Sequence, residues 1–85
     1  MKKKVILGLS ITERKKIVFE VQEVLSEYGC NIKTRLGLHE ASENLCSEHG
    51  LIILELTGDD KKCLELEKKI KKIEGVEVQK MMFEF

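Results

Sequence analysis

The chain has two histidines and three cysteines, and four of these residues lie where metal chemistry is conceivable. Cys46 and His49 are three positions apart in a polar segment, His39 opens that segment, and Cys30 precedes a predicted strand. Thiolate and imidazole groups suit zinc, nickel or iron. Because the four residues follow no recognised ligand spacing, we favour a solvated segment with incidental His and Cys. No cofactor is expected, and a metal ion at these residues is kept as the second hypothesis.

Two basic side chains suggest a different site. Lys33 and Arg35 alternate on a predicted strand, where they would line a site for an anionic ligand on an open sheet face. The alternative, which we favour, is a solvated strand surface or a cross-strand ion pair with Glu55. Cys63 falls on the apolar stripe of a predicted helix, and a buried free cysteine there acts as a small hydrophobe.

Catalysis has little support in the sequence. There is no Ser/His/Asp arrangement, no glycine loop that would cradle a phosphate, and no paired carboxylate in an apolar setting. We therefore expect a protein that is not an enzyme.

Composition narrows the classes of partner. Fifteen basic residues balance fifteen acidic ones in 85 residues, so the basic surplus that phosphate binding requires is missing. The two strands that would be central in an RNA-recognition motif contain none of the aromatic residues on which bases stack. The apolar runs are too short to span a membrane. We expect a cytoplasmic protein with reduced thiols and no direct contact with nucleic acid or membrane.

These candidate residues must be positioned by six predicted elements in one domain, residues 1–85. Most of the strands alternate apolar and polar residues, and the third is almost continuously apolar, whereas the helices repeat apolar residues every three or four positions. Residues 39–50 are polar and predict a long connecting loop. The predicted strands are Val5–Ile11, Asn31–Leu38, Leu51–Leu56 and Val76–Phe85. One helix lies between the first and second strands and ends at Gly29, which we expect to be a left-handed cap. The other lies between the third and fourth strands and ends at Gly75.

This order predicts an α+β, ferredoxin-like βαββαβ fold, with a four-stranded antiparallel sheet and both helices on one face. The other face would stay open. Gly8 leaves that face flat, and the odd-numbered apolar residues of the last strand fall on it. An exposed apolar sheet face is typical of an interaction surface, so we expect dimerisation through it. The candidate ligand or interface residues are Ile6, Gly8, Lys33, Arg35, Ile53, Met81, Phe83 and Phe85.

The local pattern resembles a small family of ACT-like proteins described as regulators of an iron-only hydrogenase system. The matching stretches are Val5–Ile11, Ile32–Leu38, Gly50–Leu56 and Ile73–Met81. The resemblance implies a ferredoxin-like fold, homo-oligomeric assembly and a regulatory role. The fold is also similar to the ligand-binding domain of nickel-responsive repressors, whose His and Cys ligands meet between subunits. Only Met1–Lys4 precede the first predicted strand, so we expect no DNA-binding segment like theirs.

The leading hypothesis is thus a non-enzymatic regulatory domain that acts as a homodimer or higher oligomer. A small-molecule effector or a regulated protein would bind at the subunit interface. The alternatives are a metal sensor for nickel, iron or zinc, and a bare protein-interaction module.

Overall fold

In the computed structural model, the chain folds in the order β-α-β-β-α-β, which confirms the predicted ferredoxin-like α+β fold. The structure describes the backbone of residues 2–12, 14–42 and 45–85, with the side chains of these residues except 14–16, 38–42 and 45–49. The elements are β1 (Lys3–Ile11), α1 (Arg14–Glu27), a short 3-10 helix (Gly29–Asn31), β2 (Ile32–Ser42), β3 (Leu45–Leu56), α2 (Asp60–Lys71) and β4 (Val76–Glu84).

The four strands form one antiparallel sheet in the order β2-β3-β1-β4. The strands that α1 connects, β1 and β2, lie on either side of β3, and the strands that α2 connects, β3 and β4, lie on either side of β1. This arrangement places β1 and β3 at the centre of the sheet and β2 and β4 at its edges. β4 pairs with β1 without interruption from Val76 opposite Ile11 to Glu84 opposite Lys3. The sheet therefore presents two continuous faces, one covered by the helices and one open.

The core lies between the sheet and the two helices. Leu7 and Leu9 of β1 and Leu54 of β3 are 0% exposed, and they pack with Val21 of α1 and Leu66 of α2. Alternation on the strands and the three-to-four spacing on the helices direct these residues to the same layer. The remaining buried apolar residues are Ile11, Ile17, Leu25, Tyr28, Leu56 and Ile70.

Local signals define both ends of α2. The Asp59 carboxylate accepts a hydrogen bond from the Lys61 amide at 3.0 Å, as an N-cap residue does. Gly75 has φ +87°, and a side chain there would collide with Ile17. The turn after α2 therefore requires glycine, both for its backbone conformation and for the close approach of α1.

Two local predictions were wrong. The long loop expected over residues 39–50 is not present, because β2 extends to Ser42, β3 begins at Leu45, and these two residues pair. The polar sequence hid this pairing, since ladder hydrogen bonds come from the backbone rather than from the side chains. Gly29 is not a left-handed helix cap; it begins the 3-10 helix.

Neither of the two α-helices among the described residues has the length and apolar character that crossing a membrane requires.

Candidate interaction surface: the open face of the sheet

The side of the sheet away from the helices, called the open face below, is defined by strand register. Ile6, Gly8 and Ser10 of β1 pair with Glu55, Ile53 and Leu51 of β3, so these six residues share that side. The residues of β4 that pair with these β1 residues lie on the same side of the sheet. The open face therefore comprises Lys4, Ile6, Gly8, Ser10, Thr34, Leu36, Leu51, Ile53, Glu55, Glu77, Gln79, Met81 and Phe83, and Phe85 continues it beyond β4.

Large apolar side chains occupy one end of the open face. Met81 is 54% exposed, Phe83 is 50% exposed and Phe85 is 68% exposed. They lie beside Ile6, because Met81 pairs with Ile6 and Phe83 pairs with Lys4. We call Ile6, Met81, Phe83 and Phe85 the phenylalanine patch. The prediction that the odd-numbered residues of the last strand point away from the helices is confirmed.

A second apolar cluster lies diagonally across the sheet. Leu36 of β2 is 50% exposed, Leu51 of β3 is 40% exposed, and Ile53 pairs with Leu36. We call these three residues the leucine patch. Surface apolar residues are common singly, but two apolar clusters on one face are typical of an interaction site.

Gly8 separates the two patches at the centre of the face. A methyl group at Gly8 would lie 3.9 Å from Ile53 Cδ1 and 4.0 Å from the Gln79 carbonyl oxygen, which is ordinary contact. Without that group, a shallow depression of about 290 Å³ forms there, lined by Gly8, Ser10, Leu51, Glu77 and Gln79. Two polar side chains at its rim are hydrogen-bonded to each other, because the Gln79 side chain donates to Glu77 Oε2 at 3.0 Å.

The expected placement of Arg35 on the open face is wrong. A β-bulge lies between Ile32, which pairs with Leu56, and Thr34, which pairs with Glu55. The extra residue, Lys33, shifts the alternation that follows it by one position. Arg35 therefore pairs with Leu54 on the helix side of the sheet.

The same shift brings Thr34 and Leu36 to the open face. Thr34 Oγ1 donates to Glu55 Oε1 at 3.2 Å, so the cross-strand partner of Glu55 is Thr34 rather than a basic residue. An anion site formed by Lys33 and Arg35 on this face is therefore not supported. Nothing in the alternation of apolar and polar residues indicates the bulge.

The four candidate metal ligands do not come together within one chain. Cys30 lies in the 3-10 helix before β2, whereas His39 lies farther along β2, opposite Gly50 of β3. The intervening strand places them roughly 20 Å or more apart at about 3.3 Å per residue. The side chains of His39, Cys46 and His49 are outside the described part of the structure, so a site among those three stays a prediction. Among the described side chains, no group of three His, Cys, Asp or Glu residues could hold a metal ion.

Cys63 packs against the core, as expected for a small hydrophobe, but it is only partly buried. Its thiol donates to the Thr57 carbonyl oxygen at 3.4 Å. Burial raises the pKa of this thiol, and the negative charges of Asp60 and Asp59 raise it further. The thiolate is therefore disfavoured, which fits a packing role better than a reactive one.

Sequence reasoning missed one buried charge on the covered side. Glu67 of α2 accepts from Lys71 Nζ at 2.8 Å and from Lys80 Nζ of β4 at 3.0 Å. Desolvation by burial raises the pKa of Glu67, but the hydrogen bonds and charges of the two lysines outweigh it, and the pKa is lowered. The spacing of Glu67 and Lys71 was visible in the sequence as an i,i+4 pair, whereas the contact with Lys80 depends on the fold.

Comparison with known proteins supports this fold over the whole chain. The sequence matches no family model and no curated protein. Among solved structures, it is similar to the uncharacterized protein TM1266 from Thermotoga maritima, with 25% identity, a TM-score of 0.81, and coverage of 98% of this chain and 100% of that one.

More distant solved structures share the fold alone. A formyltetrahydrofolate deformylase from Pseudomonas putida KT2440 matches with a TM-score of 0.58 and 16% identity over 92% of this chain. The chain spans only 28% of that enzyme. The de novo designed protein Foldit4 matches with a TM-score of 0.57 and 13% identity, covering 99% of each chain. The same architecture thus occurs both within an enzyme and in a designed protein, so function has to be argued from the surface.

Proposed function

We propose that this protein is a non-enzymatic, cytoplasmic regulatory domain that acts as a homo-oligomer and uses the open face for association. The observation that carries the proposal is the pair of exposed apolar patches on that face. Leu36, Met81 and Phe83 are each at least 50% exposed there, whereas Leu7, Leu9 and Leu54 on the opposite side of the same sheet are completely buried. A domain of this size gains stability when a partner covers such a surface.

Light scattering on the purified protein at micromolar concentration tests the association. We expect a dimer or higher oligomer for the wild-type protein and dissociation for Phe83→Ser. Phe19→Ser is the matched control, because Phe19 lies on α1, away from the open face, and is 73% exposed. A strictly monomeric wild-type protein, or equal effects of the two substitutions, would contradict the proposal.

The regulated system in this proposal is an iron-only hydrogenase system, which the family resemblance implies. What supports it is the sequence resemblance over Val5–Ile11, Ile32–Leu38, Gly50–Leu56 and Ile73–Met81, together with an exposed apolar face suited to binding. In cells that express such a hydrogenase, deletion of the gene should change hydrogenase activity. Wild-type protein and Phe19→Ser should restore the original activity, and Phe83→Ser should not. Unchanged activity in the deletion strain would contradict this role.

A further inference from the structure

We propose that the outer edge of β4 is a second interface, through which two copies of this chain pair antiparallel into one continuous sheet. Met82 of each copy lies opposite Met82 of the other, beside the twofold axis that relates them. This inference goes beyond the proposed function, because it uses the edge of the sheet rather than the open face. It identifies the partner as a second copy and fixes the register of the two strands.

The two edges of the sheet differ in how they are protected against pairing with another chain. β2 carries register shifts between Ile32 and Thr34 and between His39 and Ala41. β4 pairs with β1 along its whole length without a shift, and the chain contains no proline. Bulges and prolines are among the features that keep an edge strand from adding a further strand. The edge of β4 lacks both, so it is the one that a partner strand can extend.

The outer edge of β4 presents the backbone groups of its even-numbered residues. Phe85 and Lys2 exchange both of their backbone hydrogen bonds, at 2.8 and 2.9 Å, so Phe85 directs its N–H and C=O toward β1. This direction alternates along an antiparallel strand, so Lys80, Met82 and Glu84 direct theirs outward. Within the part of the chain that the structure describes, no hydrogen bond uses these outward groups. An antiparallel strand at this edge would satisfy them.

The side chains of β4 favour one register for that strand. When Met82 lies opposite Met82, Lys80 lies opposite Glu84 of the other copy, and Met81 lies opposite Phe83. Symmetry repeats both pairs on the other side of the axis. Opposite charges and large apolar groups that face each other directly across a ladder stabilise it. The strand is therefore complementary to itself about Met82.

The neighbouring registers lack this complementarity. A ladder centred on Lys80 would set the two lysines against each other and place Phe83 opposite Glu77. A ladder centred on Met81 would place Glu84 opposite Val78. Like charges, or a charge opposite an apolar group, weaken a cross-strand pair. We therefore place the axis at Met82.

The position of Leu64 on α2 follows from two ion pairs. Asp60 lies four residues before Leu64 and Glu67 three residues after it, so these side chains share one side of the helix. Lys3 Nζ of β1 is 3.9 Å from Asp60, and Lys80 Nζ of β4 is 3.0 Å from Glu67. This side of α2 is therefore directed toward β1 and β4, and Leu64 lies between the two contacts.

Leu64 and Met82 form an apolar pair beside the edge. Lys3 pairs with Glu84, so Met82 lies between the β4 positions that the two ion pairs mark, on the same side of the sheet as α2. Leu64 is 49% exposed and Met82 is 47% exposed. In a dimer centred on Met82, the apolar pairs of the two copies meet at the axis. Edge pairing thus covers apolar side chains that association through the open face would leave in water.

Edge pairing is compatible with association through the open face. The twofold axis is perpendicular to the sheet, so both copies keep their helices on one side and their open faces on the other. Because Met81 pairs with Phe83, the phenylalanine patches of the two copies become neighbours. The two interfaces use different surfaces, and together they predict a tetramer.

Substitutions that act on one surface at a time test the edge. Met82→Pro removes an outward N–H and leaves the ladder with β1 intact, so it should reduce the tetramer to a dimer in light scattering. Leu51→Ser, on the open face of β3, should do the same, and the double variant should be monomeric. If Met82→Pro left the assembly unchanged, edge pairing would be overturned and open-face association would stand. A wild-type dimer that Met82→Pro dissociates and Leu51→Ser does not would support edge pairing and contradict association through the open face.

Charge reversal tests the edge with a substitution that keeps the backbone of β4. Glu84→Lys places like charges opposite Lys80 on both sides of the axis, so in the Leu51→Ser background it should raise the dissociation constant about tenfold in analytical ultracentrifugation. Glu23→Lys is the matched control, because it changes the net charge equally from an exposed position on α1. Equal effects of the two substitutions, or none of Glu84→Lys, would overturn the contact with Lys80.

Single cysteines test the register, in a Cys30→Ser, Cys46→Ser, Cys63→Ala background. Two Met82→Cys residues would have Cα atoms about 5.5 Å apart, within the range of a disulfide, so mild oxidation should link the copies. Two Gln79→Cys residues on the same strand would lie about 20 Å apart at about 3.3 Å per residue and should stay reduced. A disulfide in Gln79→Cys instead of Met82→Cys, or none in Met82→Cys, would overturn the register.

Discussion

The two faces of the sheet carry similar side chains but differ in what covers them. On the helix side, Leu7, Leu9 and Leu54 are 0% exposed, whereas on the open side Leu36 and Leu51 are 50% and 40% exposed. Leu54 and Leu51 even belong to the same strand. The composition of a strand therefore sets which faces are apolar, and the layer packed against a face decides whether its residues stabilise the monomer or remain available for a partner.

The largest difference between the faces should appear when the two leucines of β3 are truncated. Leu54→Ala should lower the free energy of unfolding by about 2–5 kcal/mol, because it leaves a cavity under the helices. Leu51→Ala, the matched control, should lower it by less than about 1 kcal/mol and should act mainly on the oligomeric state. Urea denaturation of both variants measures the unfolding, and light scattering measures the association. Similar losses of stability in the two variants would contradict the distinction between the faces.

A glycine substitution tests how tightly the covered side is packed. Gly75→Ala should cost about 2–4 kcal/mol, because φ is +87° and the new methyl group would meet Ile17. Gly37→Ala is the control, since Gly37 lies in an edge strand and a methyl group added there would have nothing within 4 Å. Thermal unfolding should show a clear drop in melting temperature for the first and little change for the second. If Gly37→Ala were destabilised and Gly75→Ala were not, the conclusion that the chain is tightly packed at Gly75 would be wrong.

Much of this contrast could be predicted from the sequence. The alternation from Val5 to Ile11 assigned Leu7 and Leu9 to one side, and the odd numbering of Met81 and Phe83 assigned them to the other. Alternation carries this information because successive side chains of a strand point to opposite faces. The order of the elements then fixed the ferredoxin-like topology.

The features that sequence reasoning missed depend on backbone pairing or on distant contacts. The bulge at Lys33 moves Arg35 to the helix side, yet no residue type in that stretch marks a bulge. The extension of β2 to Ser42 and the early start of β3 at Leu45 were hidden, because the polar residues of these segments show no apolar alternation. Lys80 meets Glu67 only after β4 has packed beside α2, so the sequence alone could not show that pair.

The smallest expected effect concerns one polar pair on each side of the sheet. Glu67 is 7% exposed beside α2 and β4, whereas the hydrogen bond from Thr34 to Glu55 is exposed on the open side. Glu67→Gln should cost about 1–3 kcal/mol at pH 7, since it weakens hydrogen bonds that two charged lysines make to a carboxylate. Thr34→Val, the control, should change stability by less than about 0.5 kcal/mol, because it removes one solvated bond and adds a good strand former.

The pH dependence of the Glu67 effect has a defined sign. Because the folded-state pKa of Glu67 lies below its ordinary value of 4.5, the unfolded chain binds this proton more readily than the folded one. The contribution of Glu67 is therefore fully present above that value and is lost as the pH falls through the lower folded pKa. The difference in unfolding free energy between wild-type protein and Glu67→Gln should shrink on acidification below pH 4.5, and that between wild-type protein and Thr34→Val should not. A Glu67→Gln difference that stays constant between about pH 7 and pH 3 would show that the ion pairs with Lys71 and Lys80 do not stabilise the covered side.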